Sequence, residues 1–121
     1  GYALLSEENL EGTRALGTDL LPRSGEVFAL RVQGESMRDA GILPGDLGTV
    51  RRQARAEAGE IVGALVDGEA TVKTFRPMGD AADRIVLEPA NPAFRPIVLD
   101  AASGAVSILG KVVGVVRRYG V

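Results

Sequence analysis

The sequence predicts a mostly β fold, and three observations carry that expectation. Residues 27–32 alternate Phe28, Leu30 and Val32 against Ala29, Arg31 and Gln33, the two-residue period of a strand with one buried face. Asp67-Gly68 separates two β-favouring stretches, 61–66 and 69–75, with the dipeptide preferred in two-residue hairpin turns, where both central residues take positive φ. Residues 105–119 form a valine-rich run interrupted by Gly110 and Gly114. At 121 residues, 45% of them apolar, the chain suits one domain with a core of its own.

Taken in order, residues 1–24 are a mixed arm: an acidic patch of Glu7, Glu8 and Glu11, then Leu16, Leu20, Leu21 and Pro22. Residues 25–121 make the core of the domain. The strand at 27–32, with Phe28, Leu30 and Val32 turned inward, leads into a sharp connection that carries Ser36 and closes on the Pro44-Gly45-Asp46 turn. A second strand spans 46–52, followed by a polar loop at 53–59, and Arg51, Arg52 and Arg55 form a solvated basic edge. The hairpin around Asp67-Gly68 then sets Thr71, Lys73 and Phe75 on one face and Ala70, Val72 and Thr74 on the other. A strand at 84–88 stops at Pro89-Ala90-Asn91-Pro92, after which Phe94 and residues 97–99 return to apolar packing. In the last run, Val112, Val113, Val115 and Val116 put apolar groups on both faces. Such a strand is either central in its sheet or an edge covered by a second copy.

Composition removes several function classes. A formal net charge of −2 gives no general attraction to phosphate, so the chain by itself is a poor nucleic-acid binder. No signal peptide opens it, and no apolar run reaches the length of a membrane-spanning helix. Without cysteine there are no disulfides and no thiolate chemistry, which suits a reducing cytoplasm. The absence of histidine eliminates Ser-His-Asp devices and disfavours a zinc site, so no metal or other cofactor is expected. Lys, Tyr, Asp, Glu or an N-terminal amine remain as possible bases. Of the 14 basic residues only Lys73 and Lys111 are lysines, and lysine, unlike arginine, can lose its proton when buried.

Among these possibilities, a serine hydroxyl activated by a neutral lysine is an available design, with Ser36 and Lys73 as the candidates. An ordinary lysine, with a pKa of about 10.4, is neutral in only roughly one molecule in a thousand near pH 7. Burial must therefore oppose charging by on the order of 4 kcal/mol, within the reach of an apolar pocket. A neutral amine would take the Ser36 proton as Oγ attacks a carbonyl and pass it to the leaving amine, giving an acyl-enzyme that water hydrolyses. The backbone N–H groups of Glu35 and Ser36 are the expected oxyanion donors. Asp39 and Asp46 are expected in turn and loop roles.

The same residues resemble a known family. Phe28-Ala29-Leu30-Arg31-Val32-Gln33-Gly34-Glu35-Ser36-Met37, followed by Gly41-Ile42 and Gly45-Asp46, is similar to the self-cleaving domain of the LexA repressor family. Asp67-Gly68-Glu69-Ala70-Thr71-Val72-Lys73 resembles its lysine strand, and Pro89-Ala90-Asn91-Pro92 and Leu109-Gly110-Lys111-Val112-Val113-Gly114-Val115-Val116-Arg117 extend the likeness along nearly the whole chain. Gly1, with Leu4-Leu5-Ser6-Glu7-Glu8 behind it, resembles the segment just after the family's Ala-Gly cleavage bond. Tyr2-Ala3, in place of an acidic-Pro pair, and Leu47-Gly48, in place of bulkier residues, depart from the pattern.

The resemblance implies a LexA/signal-peptidase-like β fold with strongly twisted antiparallel sheets, and a Ser36/Lys73 dyad that cuts the chain's own linker before Gly1. It implies a bacterial, cytoplasmic repressor of the DNA-damage response, cleaved when a RecA filament on single-stranded DNA stimulates it. DNA would be bound only through an N-terminal domain lying before Gly1. A homodimer would form through Val112, Val113, Val115 and Val116, with no membrane contact. A mutagenesis-polymerase subunit of the UmuD type with the same dyad, and a non-enzymatic dimerisation module, are the alternative readings.

Overall fold

A computed structural model describes residues 3–5, 23–78 and 83–117. Gly1, the acidic patch, Leu16, Leu20, Leu21, Pro22 and Tyr119 lie outside the described residues. The elements are β1 (Ala3–Leu5), β2 (Val27–Arg31), a 3-10 turn (Arg38–Ala40), β3 (Leu47–Arg52), β4 (Ile61–Val66), β5 (Glu69–Met78), β6 (Arg84–Glu88), β7 (Ile97–Asp100) and β8 (Val106–Val116). The mostly β expectation holds. Part of the arm is more ordered than the sequence suggests, because Ala3–Leu5 pairs with β2 in parallel, Leu4 opposite Ala29.

The strands form one sheet in the order β1-β2-β3-β8-β4-β5-β6-β7, antiparallel except for the β1–β2 pair. At the β4–β5 hairpin Asp67 and Gly68 have φ of 51° and 83°, the positive values that their turn requires. β5 runs on to Met78, beyond the expected end, because β6 extends the pairing through Met78 opposite Arg84.

Three strands separate β2 from β5 in that order, so in a flat sheet the two would lie about 19 Å apart at about 4.8 Å per step. They nevertheless share a core: Leu30 and Val32 pack in one buried cluster with Met37, Ile42, Ala70 and Val72. A Cβ on Gly63 of β4 would come within 2.8 Å of the Leu30 side chain, which shows how closely β2 lies over the middle of the sheet. The sheet is therefore curled on itself. Register shifts at Thr49/Val50 on β3 and Gly63/Ala64 on β4, both against β8, supply local bends of the kind that allow such curling. A second cluster of Val62, Ala64, Phe75 and Leu87 fills the β4–β6 side.

β8 has two neighbouring strands at its middle and a single one toward each end. Residues 106–111 are in register with β4 and residues 110–116 with β3, so β8 is flanked on both sides only at Gly110 and Lys111, and beyond Lys111 only β3 is in register with it among the described residues. Val113, Val115 and Val116 are exposed there, and Val112 packs against the core.

Two expectations need correction. Phe94 and Val98 are 44% and 57% exposed, Phe94 because the turn that follows Asn91 carries it outward instead of back into the core, while Ile97 and Leu99 pack against the second cluster. Arg52 is not simply solvated: its guanidinium donates to the carbonyls of Ile108 and Leu109 at 3.0 and 2.8 Å, tying β3 to β8, while Arg51 and Arg55 are exposed.

Gly110 sits where β8 presses closest on β3, and a Cβ there would run into the Arg51 carbonyl. Gly110→Ala should lower the unfolding free energy in urea by about 2–3 kcal/mol; an unchanged midpoint would show that the strands can part without cost.

Candidate active site

The connection after β2 is closed at its base by Val32 and the turn at its far end. Val32 N–H donates to the Asp46 carbonyl at 2.8 Å and Gly45 N–H to the Val32 carbonyl at 2.9 Å. Inside this loop the chain bends at Gly34, with φ 73°, and turns again as Arg38 N–H donates to the Glu35 carbonyl at 3.2 Å. Met37 and Ile42 are buried in the core cluster and fasten the loop from within. Ser36, one residue before the Met37 anchor, is left half-buried at the bend.

Lys73 reaches the same point from β5. Its Nζ lies 2.9 Å from Ser36 Oγ and 2.6 Å from Thr71 Oγ1, and the residue is 9% exposed. Thr71 is two positions earlier on the strand and hence on the same face. The hairpin register alone fixes that shared face, whereas the bond to Nζ needs the folded chain. A neutral amine has two N–H donors and one lone pair, so it can donate to Thr71 while accepting the Ser36 proton. The other lysine is differently placed: Lys111 Nζ forms an ion pair with Glu60 at 2.8 Å, and this hydrogen bond pulls the Glu60 carboxyl below the usual range.

A second segment holds the bend from outside. Ala90 N–H donates to the Ser36 carbonyl at 2.8 Å, Asp39 N–H to the Ala90 carbonyl at 2.7 Å, and the Asn91 side-chain amide to the Glu35 carbonyl at 2.8 Å. Nothing in the local sequence around Asn91 signals this reach. Among the described residues, the N–H groups of Glu35 and Ser36 have no acceptor. Beside Ser36 a small cavity of about 30 Å³ is lined in part by Leu30, Val32, Met37, Ala70 and Val72, room for a methyl-sized group.

Asp46 has the expected turn role and more. Its carboxylate accepts Leu43 N–H at 2.8 Å and receives two bonds of 2.7 Å from the Arg117 guanidinium, which also donates to the Gly41 carbonyl. The Arg117 hydrogen bonds hold this buried carboxyl below the usual aspartate range although burial opposes them. The end of β8 is thereby tied to the exit of the serine loop. Of the other sites expected from sequence, Val112, Val113, Val115 and Val116 lie on the second half of β8, just before Arg117, and Gly1 is outside the described residues.

Comparison with known proteins agrees with the likeness seen in the sequence. Residues 1–113 match the family model described as Peptidase S24-like. The chain is 43% identical over 120 residues to the LexA repressor of Carboxydothermus hydrogenoformans, covering 98% of this chain and 56% of that protein. It is 50% identical over 117 residues to the LexA repressor of Desulfitobacterium hafniense, covering 97% and 53%, and 47% identical over 118 residues to that of Corynebacterium jeikeium, covering 98% and 41%. The chain thus spans about half the length of the curated relatives it matches.

The Asp46–Arg117 pair gives stability a defined pH dependence. Because the folded carboxyl titrates below its unfolded value, the pair contributes fully above the ordinary aspartate pKa of about 3.9 and is lost as pH falls through the lower folded value. Arg117→Gln should cost roughly 2–3 kcal/mol at pH 7, allowing for screening of the part-exposed guanidinium. Denaturant titrations should show this gap narrowing below about pH 4, and a gap constant with pH would contradict the assignment.

Proposed function

The chain belongs to the Peptidase S24-like family, as a domain of the LexA repressor type, and on that premise we propose that it is the self-cleaving part of a bacterial DNA-damage-response repressor, with Ser36 as nucleophile and Lys73 as general base. The observation that carries this reading is the 2.9 Å separation of Lys73 Nζ and Ser36 Oγ in a chain without histidine.

The bond cut is the one joining the preceding alanine to Gly1. Neutral Lys73 accepts the Ser36 proton as Oγ adds to the alanine carbonyl carbon, while Thr71 keeps Nζ in line. The oxygen of the tetrahedral intermediate takes its charge facing the N–H groups of Glu35 and Ser36. As the carbon–nitrogen bond breaks, protonated Nζ gives its proton to the Gly1 amine. Water then attacks the acyl ester, with Lys73 again taking a proton, and regenerates Ser36. The small cavity beside Ser36 supports an alanine side chain on the acyl side. Because the scissile segment belongs to the same chain, its high effective concentration lets a weakly exposed nucleophile suffice.

Cleavage on stimulation by a RecA filament on single-stranded DNA completes the proposal, with operator binding through a separate N-terminal domain. Two copies associate through Val112, Val113, Val115 and Val116. Among the described residues β8 is paired on one side only beyond Lys111, and the exposure of Val113, Val115 and Val116 supports that interface.

The parent chain, extended upstream of Gly1, should cleave itself without help at alkaline pH, where Lys73 is most easily neutral. Ser36→Ala should stop the reaction and Lys73→Ala should slow it by roughly 10²–10⁴-fold. Undiminished cleavage in Lys73→Ala, followed on denaturing gels, would refute the dyad. For the interface, sedimentation at rising concentration should show a dimer that Val115→Asp converts to monomer; a parent protein that stays monomeric throughout would rule it out.

A further inference from the structure

Asn91 is 5% exposed and lies 56 residues beyond Glu35 in the chain, yet its amide meets the peptide that contains the Ser36 N–H. Its two ends have different partners. Oδ1 accepts Ala93 N–H at 3.0 Å, a local turn contact, and receives Arg38 from the 3-10 turn at 3.5 Å. Nδ2 leaves the turn and donates to the Glu35 carbonyl at 2.8 Å. Since Oδ1 is fixed from one side and the Glu35 oxygen can only accept, the amide has one consistent orientation.

A trans peptide is planar, with its C=O and N–H pointing in opposite directions. Pinning the Glu35 oxygen therefore aims the Ser36 N–H the other way. The next peptide is pinned as well, because Ala90 N–H bonds the Ser36 carbonyl at 2.8 Å. Among the described residues the Ser36 N–H has no acceptor of its own, so nothing on its own side sets its direction.

We propose that Asn91 is a positioning residue for the cleavage reaction, its side-chain amide holding the Glu35–Ser36 peptide so that the Ser36 N–H faces the developing oxyanion. The inference rests on the Ser36/Lys73 reading and adds to it a residue that touches neither the dyad nor the substrate. The Arg38 N–H bond to the same oxygen, longer at 3.2 Å, limits the loss when the amide is removed. The expected effect is thus smaller than the 10²–10³-fold typical of deleting an oxyanion donor outright.

The test measures first-order self-cleavage of the full-length parent chain across pH, with folded fraction followed in urea. Asn91→Asp keeps an acceptor for Ala93 but loses the donor to Glu35, whereas Asn91→Ala loses both. Both variants should cleave about 10–100-fold more slowly at the alkaline plateau while remaining folded, and in Asn91→Ala the pH of half-maximal rate should not move, because Lys73 keeps its partners. Wild-type plateau rates in Asn91→Asp, or losses that vanish after correction for unfolded protein, would overturn the proposal. Ser36→Ala and Lys73→Ala run alongside separate the two readings: if they are inactive while the Asn91 variants cleave normally, only the positioning role fails, and if they cleave, the dyad itself fails.

Discussion

The 2.9 Å contact between Lys73 Nζ and Ser36 Oγ is the constraint around which the rest of the structure is disposed. The two residues sit on strands, or next to strands, that are four steps apart in the sheet, so the contact exists only because the sheet curls. Curling in turn needs Leu30 and Val32 to meet Ala70 and Val72, and it needs Gly63 where Leu30 crosses β4. The apolar cluster thus closes the sheet and, by the same contacts, walls the lysine from water. One packing event supplies both proximity and desolvation, the two conditions under which an amine can act as base toward a hydroxyl.

Geometry at the serine is then refined by polar groups from distant parts of the chain. Residues Ala90 and Asn91 bond the backbone on both sides of Ser36, and Arg117 locks Asp46 at the loop exit. The loop is therefore held at its apolar anchors, its outer carbonyls and its closing turn. The Arg117 tether also joins the serine loop to the end of β8, the strand proposed to carry the dimer contact.

Much of this was legible in the residues. Period-two alternation located β2, the Asp67-Gly68 turn fixed which residues share a face with Lys73, and the lack of histidine reduced the possible bases to a few. What local pattern could not carry were partners created by closure. Thr71 was visible as a neighbour on the right face, but its bond to Nζ depends on where the lysine is bent to go. Asn91 looked like one turn residue among several, and Arg117 like the end of a valine strand, because their partners lie 56 and 71 residues away. Phe94 shows the converse: an apolar side chain is no guide to burial when the turn before it faces outward. β1 leaves no such signal, because three residues are too few for a period to show.

For Lys73 to act as the proposed base it must shed its proton, and a chain with only two lysines makes that measurable. With Lys111→Arg, a single lysine remains in the 121 residues, and ¹⁵N and ¹³C labelling of lysine lets its protonation be followed by NMR across pH. Lys73 should lose its proton over the same pH range in which self-cleavage of the parent chain switches on. A Lys73 that stays fully protonated throughout that range would contradict that role.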